Sequence, residues 1–193
     1  KVDMAGIEFA ESVVYELVTD PSNLTVDSEI IIVAADSDVA LSTTQNNNNR
    51  GQAGVTKDGN TISDPGSTVQ VITIEDGTKD GTVAFNVGNG YLYAASSGSN
   101  YLRTETTLSD NSSWTVSIAD GVATIIAQGT NTRNTMQYNQ TNSLFSCYGS
   151  ASQKAVSIYK RQGTGSAPLP KLTAPVVTAE LNGDETGINV SWQ

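Results

Sequence analysis

A pattern of four short apolar segments occurs three times along the chain, and this repeat limits the folds that the chain can adopt. The repeats cover residues 29–77, 82–121 and 122–162. Their segments are rich in β-branched and aromatic residues and are separated by polar turns, which is typical of strands. Only 16% of the residues are charged, and we find no sustained helical periodicity. The sequence predicts an all-β protein.

The closing segment of each repeat gives the clearest alignment. Pairs of apolar residues alternate with polar ones at Ile72 and Ile74, at Val116 and Ile118, and at Val156 and Ile158. Successive side chains of a strand point to opposite faces, so each pair is expected on the face toward the core. Trp114 is in register with the second pair. We therefore predict that Trp114 is a core residue and not an exposed stacking platform.

Twelve strands in three units of four match a β-trefoil, a closed barrel of six strands capped by three hairpins. Closure leaves no free sheet edge, which suits a chain of short apolar strands. We predict a β-trefoil-like closed barrel over residues 21–162. A β-sandwich or an irregular β-barrel is the alternative, because turn signals every 8–12 residues also fit those folds.

Two polar stretches make the first repeat longer than the others. They are QNNNNR at residues 45–50 and a loop at residues 58–68. Four consecutive asparagines bury too little apolar surface to offset the entropy lost on ordering. We expect residues 45–50 to form a mobile loop tip.

Three further segments lie outside the repeats. Residues 1–20 are predicted to be a lead-in strand that docks on the barrel, followed by one helical turn after Asp20 and Pro21. Residues 163–171 combine Gly, Ser and Pro and are typical of a linker. Residues 172–193 contain two alternating segments around an Asn-Gly-Asp turn, which indicates a hairpin.

The charge balance and the missing histidine exclude several classes of function. Twenty acidic and ten basic residues give a formal net charge of −10, which disfavours nucleic acid and anionic membrane surfaces. No apolar run approaches the roughly 20 residues of a membrane span. The chain has no His and no recognisable nucleophile or paired-carboxylate motif. We expect a non-catalytic protein without a cofactor or membrane insertion.

Cysteine and aspartate are also interpreted as structural residues. Cys147 is the single cysteine and alternates with Phe145, so we predict a buried core position. Asp36 and Asp38 share a turn, and calcium prefers six to eight oxygen ligands. No Asp-x-Asp-x-Asp-Gly pattern accompanies them, so we expect solvated turn residues and no metal site.

Aromatic and amide residues of the second and third repeats are the best candidates for ligand contact. Flat aromatic rings stack on the apolar faces of sugars, and amides both donate to and accept from hydroxyls. The alternative is that the tyrosines cap the barrel with their hydroxyls in water. The candidate ligand-binding residues are Tyr91, Asn100, Tyr101, Tyr138, Asn139, Asn142 and Tyr148.

Residues 29–162 resemble the β-trefoil group, whose best-known binding members are the ricin-type lectins. The resemblance rests on strand order, and it implies carbohydrate-binding groups around the second and third strands of each unit. Ricin-type repeats carry Gln-x-Trp in the closing strand. The corresponding residues here are Gln70, Trp114 and Lys154, so the chain departs from that family at this place.

Residues 172–193 resemble the beginning of a fibronectin type III domain, with Pro175 at the entry and Trp192 closing the second strand. The whole chain resembles modules of bacterial surface and adhesion proteins. This resemblance implies a secreted or cell-surface location and further domains in a longer parent chain.

We expect binding of carbohydrate or glycoconjugate, in adhesion or substrate targeting. The alternatives are a structural spacer or protein-interaction module, and a carboxylate-dependent glycoside hydrolase domain.

Overall fold

The computed structural model describes residues 12–163 and two later strands, within which all the longer elements are β-strands. The strands are β1 (Val14–Leu17), β2 (Glu29–Ala34), β3 (Val39–Asn46), β4 (Asn49–Gly54), β5 (Thr61–Ser63), β6 (Ile72–Asp76), β7 (Val83–Asn86), β8 (Tyr91–Ala94), β9 (Leu102–Glu105), β10 (Ser113–Ala119), β11 (Val122–Ala127), β12 (Thr135–Asn139), β13 (Leu144–Tyr148), β14 (Val156–Arg161), β15 (Val177–Leu181) and β16 (Ile188–Trp192). Two short 3₁₀ helices lie at Pro21–Asn23 and Asp110–Ser112.

Six strands pair in a closed cycle. β2 pairs with β6, β6 with β7, β7 with β10, β10 with β11, β11 with β14, and β14 with β2. The remaining strands of the repeats form the hairpins β3–β4, β8–β9 and β12–β13. All twelve strands predicted from the repeats are present, and the all-β prediction is confirmed; the fold is an irregular β-barrel, which was the alternative to a closed β-trefoil-like barrel. The ring is irregular, because β11 and β14 meet in register only at Ala123 and Val156.

The barrel interior is filled by the apolar faces of the closing strands. Ile72, Ile74, Val156 and Ile158 are fully buried, and the corresponding pair in β10 packs partly buried against the same core. The alternation at period two therefore predicted the inward face correctly.

Trp114 is fully buried, as predicted. Its ring stacks on Phe85 with the ring centroids 5.8 Å apart, and its Nε1 donates to the carbonyl oxygen of Leu92 at 3.1 Å. A buried indole needs such an acceptor for its N–H group.

Cys147 is buried and free, also as predicted, and burial raises the pKa of its thiol.

A second apolar cluster lies outside the barrel and depends on β1 and β5. β2 is buried on both faces, with Ile30 and Ile32 in the barrel core and Ile31 and Val33 in this outer cluster. β1 pairs with β14 on one side and with β5 on the other. The long insertion of the first repeat therefore contributes a strand that covers apolar surface.

The run of asparagines forms the tip of the β3–β4 hairpin, with only Asn47 and Asn48 between the two strands, so it is a tight turn and not the longer loop tip predicted over residues 45–50. Gln45 and Asn46 end β3, and Asn49 and Arg50 begin β4. Asn47 takes the left-handed conformation with φ of 51°, which asparagine tolerates better than most residues. The Nε2 of Gln45 also donates to the carbonyl oxygen of Asn49 at 3.0 Å. Backbone pairing between β3 and β4 and hydrogen bonds from side-chain amides thus order this polar sequence.

The segments around the barrel are described in part. Asp20 caps the 3₁₀ helix by accepting a bond from the backbone N–H of Ser22, as its sequence predicts. β15 and β16 pair antiparallel in a two-stranded sheet of their own. Residues 1–11 and 164–176, which include most of the predicted linker, lie outside the described residues, so the fibronectin type III resemblance stays a prediction. No helix in the described part of the chain has the length and apolarity needed to cross a membrane.

Replacing Trp114 with alanine should lower the free energy of unfolding by about 3–5 kcal/mol, because a large cavity opens in the barrel core. Urea denaturation followed by circular dichroism measures the loss. Val26, which is 47% exposed, supplies the matched control, since Val26→Ala should change stability by at most about 0.5 kcal/mol. Equal losses in the two variants would contradict the position of Trp114.

Candidate functional site

Two clefts lie between neighbouring units of the barrel, at corresponding positions of the repeat. In each, the hairpin turn of one unit faces the first loop and the third strand of the next. We name the cleft between the second and third units the Tyr148 cleft. It measures about 370 Å³ and is lined by Ser97, Asn100, Thr132, Arg133, Tyr148, Gly149, Ser150, Ser152 and Gln153.

We name the cleft between the first and second units the Arg103 cleft. It measures about 210 Å³ and is lined by Thr43, Gln45, Asn47, Arg50, Asn89, Arg103 and Thr104. A larger space of about 610 Å³ lies elsewhere, beside Gly163, where the described part of the barrel ends. Its lining contains two acidic and two basic residues, and Arg161 pairs with Glu29 there.

Hydrogen bonds between two loops shape the Tyr148 cleft. Asn100 comes from the turn between β8 and β9, and Arg133 comes from the loop before β12. The Nη1 of Arg133 donates to the Oδ1 of Asn100 at 2.6 Å. Nearby, the backbone N–H of Thr132 donates to the Oγ of Ser97 at 3.1 Å. These bonds tie the two units together across the cleft.

Tyr148 supplies the aromatic part of the lining. The residue is 5% exposed, and its hydroxyl accepts a bond from the Nδ2 of Asn139 at 3.0 Å. The Oδ1 of Asn139 in turn accepts from the backbone N–H of Asn142 at 3.0 Å. Burial raises the pKa of Tyr148, so the phenol is neutral at physiological pH. The β12–β13 hairpin of the third unit therefore fixes the position of the Tyr148 ring through Asn139.

A buried glutamine orders the remaining wall. The Nε2 of Gln137 donates to the carbonyl oxygen of Ser150, and its Oε1 accepts from the backbone N–H of Gln153, both at 2.8 Å. The loop after β13 is thereby held against β12. Hydroxyl and amide groups of this loop face the cleft with their positions set by the barrel.

The structure brings together some of the predicted ligand residues and separates the others. Asn100 and Tyr148 line one cleft, and Asn139 and Asn142 support Tyr148 from behind.

Three predicted tyrosines lie elsewhere. Tyr138 is buried with its ring centroid 5.0 Å from that of Phe145, and its hydroxyl bonds to Gln52. Tyr91 donates to Glu75 at 2.8 Å, and that bond raises the pKa of its phenol. The ring of Tyr101 lies under Arg103, with the guanidinium carbon 5.2 Å from the ring centroid.

Sequence reasoning missed the arginines of both clefts. Arg133 and Arg103 occur singly in polar stretches and belong to no motif. Arg103 lies in the third strand of the second unit and Arg133 in the first loop of the third unit, so no shared position in the repeat marks them. No group of three or more His, Cys, Asp or Glu side chains that could hold a metal ion occurs within the described residues.

Comparisons with known proteins show the fold. No protein-family model matches the chain, and no curated protein matches its sequence. Among solved structures, a GH43 β-1,3-galactosidase gives a TM-score of 0.56 at 12% identity, over 80% of this chain and 31% of that one. A GlcNAcα1-4Gal-releasing endo-β-galactosidase from Clostridium perfringens gives 0.54 at 10% identity, over 70% and 33%.

A lectin gives a similar match. The Polyporus squamosus lectin, bound to the epitope Neu5Acα2-6Galβ1-4GlcNAc, has a TM-score of 0.51 at 14% identity, over 72% of this chain and 49% of that one. The chain thus spans about a third to a half of the length of these structures. At such identities the likeness shows a shared all-β fold and nothing finer.

Tyr138→Phe should lower the free energy of unfolding by about 0.5–1.5 kcal/mol, because the hydroxyl loses its bond to Gln52. A double-mutant cycle with Gln52→Ala measures this bond. The double variant should cost little more than either single one. Fully additive losses would show that the two side chains do not interact.

Proposed function

We propose that the chain is a non-catalytic carbohydrate-binding module and that the Tyr148 cleft is its sugar site. The observation that carries the proposal is the meeting of Asn100, Arg133 and Tyr148 in one cleft, although they come from three separate loops and strands. Two of these three residues were candidates from the sequence alone.

The chemistry of the lining fits a sugar. Sugar hydroxyls need donors and acceptors in fixed positions, and the Arg133–Asn100 pair presents both beside the hydroxyls of Ser97 and Thr132. Tyr148, which is 5% exposed, adds a small apolar surface to the wall of the cleft. A volume of about 370 Å³ lies at the lower end of the range of small-ligand pockets and suits one or two sugar residues.

The names of the three structural neighbours support the same class of ligand. Two are galactosidases, and the third is a lectin bound to a galactose-containing epitope. Because they share little sequence with this chain, they suggest which probes to use first and do not identify the ligand. Galactosides are therefore the first compounds to test.

Binding is favoured over hydrolysis by the lining. Glycoside hydrolases commonly place two carboxylates about 5–9.5 Å apart around the scissile bond. The nine residues of the Tyr148 cleft offer hydroxyls, amides, a phenol and a guanidinium, and none is Asp or Glu. A role in adhesion or substrate targeting, in a secreted or cell-surface protein, is part of this proposal.

A glycan array that includes neutral galactosides tests the proposal, with the full chain as the probe. Binding by the wild type should weaken at least about tenfold in Arg133→Gln and in Asn100→Ala, since each loses a polar contact to the sugar. Tyr91→Phe is the control, because Tyr91 bonds to Glu75 outside the cleft, and this variant should bind like the wild type.

Two results would contradict the proposal. One is silence of the folded wild-type protein across the array, which would favour a spacer or a protein-interaction module. The other is equal binding by Arg133→Gln and the wild type, which would place the sugar outside the Tyr148 cleft.

A further inference from the structure

Three of the four arginines of the chain have no acidic partner among residues 12–163. Arg161 pairs with Glu29, whereas Arg50, Arg103 and Arg133 bond only to neutral acceptors. The Nε of each of these three is buried without a hydrogen-bond partner in the described part of the chain. Acidic residues outnumber basic ones two to one, so it is unusual that three guanidinium groups lack a carboxylate partner.

Arg50 shows this most clearly. The residue is 3% exposed, and its Nη1 donates to the carbonyl oxygen of Thr43 at 3.1 Å and to the Oε1 of Gln70 at 3.4 Å. Its Nη2 donates to the Oγ1 of Thr104 at 2.6 Å. A guanidinium has five N–H groups, so these three bonds leave two without an acceptor. A buried charge without an opposite charge is costly.

Arg103 brings a second positive charge to the same cleft. Its Nη2 bonds to the Oδ1 of Asn48, and its guanidinium carbon lies 5.2 Å from the ring centroid of Tyr101. The amide and the ring fix the orientation of the side chain. Thr104, the next residue along β9, bonds to Arg50, so the two arginines are joined through adjacent residues.

The other lining groups of the Arg103 cleft are neutral. Besides the two arginines it contains two threonines, one glutamine and two asparagines, and no carboxylate. Burial lowers the pKa of Arg50, and no acidic group offsets this effect. Because arginine does not lose its proton in proteins, the cleft keeps both positive charges.

We propose that the Arg103 cleft binds one oxyanion group, a carboxylate or a sulfate ester, carried by an acidic glycan. Planar guanidinium groups match the geometry of such oxyanions and bind them with charge-assisted hydrogen bonds. The Nε atoms of both arginines are buried, so the Nη groups of Arg50 and Arg103 supply the donors. A volume of about 210 Å³ holds the anionic group and part of its sugar ring.

The negative net charge of the chain favours a partner with a single anionic group over a polyanion. A formal charge of −10 repels polyanions such as nucleic acids, which need many cationic contacts. A single anionic group in a cleft with two arginines avoids that repulsion. The anion site stands independently of the proposed function, and only the glycan that carries the anion rests on it.

Thermal unfolding in sodium sulfate tests the anion site, with sodium chloride of the same ionic strength as the reference. Sulfate should raise the Tm of the wild-type chain and of Arg161→Gln, in which an arginine outside the cleft is removed. Sulfate also stabilises folded proteins that have no sulfate site, so the Tm of Arg103→Gln should still rise, but clearly less than that of the wild type. Arg103 is partly exposed and its substitution leaves the core intact, so folding of the variant can be verified by circular dichroism.

Calorimetry with sugars identifies the carrier and distinguishes the two oxyanions. Galactose-6-sulfate and glucuronate are compared with neutral galactose, and at least one acidic sugar should bind about tenfold more tightly. The Arg103→Gln substitution should remove that preference. The stronger of the two acidic sugars assigns the oxyanion as sulfate or carboxylate.

Equal stabilisation of the wild type and Arg103→Gln by sulfate would overturn the anion site. Sulfate binding without any preference for acidic sugars would overturn the assignment to a glycan. Binding of neutral galactosides at the Tyr148 cleft would be unaffected by either result, so failure of this inference and failure of the proposed function can be distinguished.

Discussion

The pairing of β2 with β14 closes the barrel, and the rest of the structure depends on it. Five residue pairs stand in register between these strands, from Ile30 with Lys160 to Ala34 with Val156. They join the first and the last units of the chain, so the cost of closing a long loop is offset only when the whole ring forms. Because β2 is buried on both faces, the same strand also connects the barrel core with the outer cluster under β1 and β5.

Closure of the ring places neighbouring units side by side, and the two clefts lie at these boundaries. The Tyr148 cleft and the Arg103 cleft each combine the hairpin turn of one unit with a loop and a strand of the next. Between the third and first units, β13 pairs directly with β4. A repeated backbone thus offers similar positions, and the side chains of each unit decide what a position can bind.

The sequence was sufficient to predict the twelve strands and the buried positions of Trp114 and Cys147, because period-two alternation reports the inward face directly. It predicted the site less well. Tyr138 in β12 and Tyr148 in β13 were equivalent candidates by residue type, yet the ring of Tyr138 packs on Phe145. The arginines were missed because the contacts of Arg133 with Asn100 join residues of different units. Such contacts depend on how the ring closes, which local patterns do not encode.

Chemical-shift mapping can locate sugar binding in the cleft between the second and third units residue by residue. Nitrogen-15 NMR spectra of the full chain are recorded while lactose is added. If the Tyr148 cleft binds sugar, the largest shifts occur at the backbone N–H groups of Ser97, Arg133 and Gly149, which surround the cleft. Shifts centred on the Tyr91–Glu75 pair instead, or no shifts at millimolar lactose, would rule out this cleft as the lactose site.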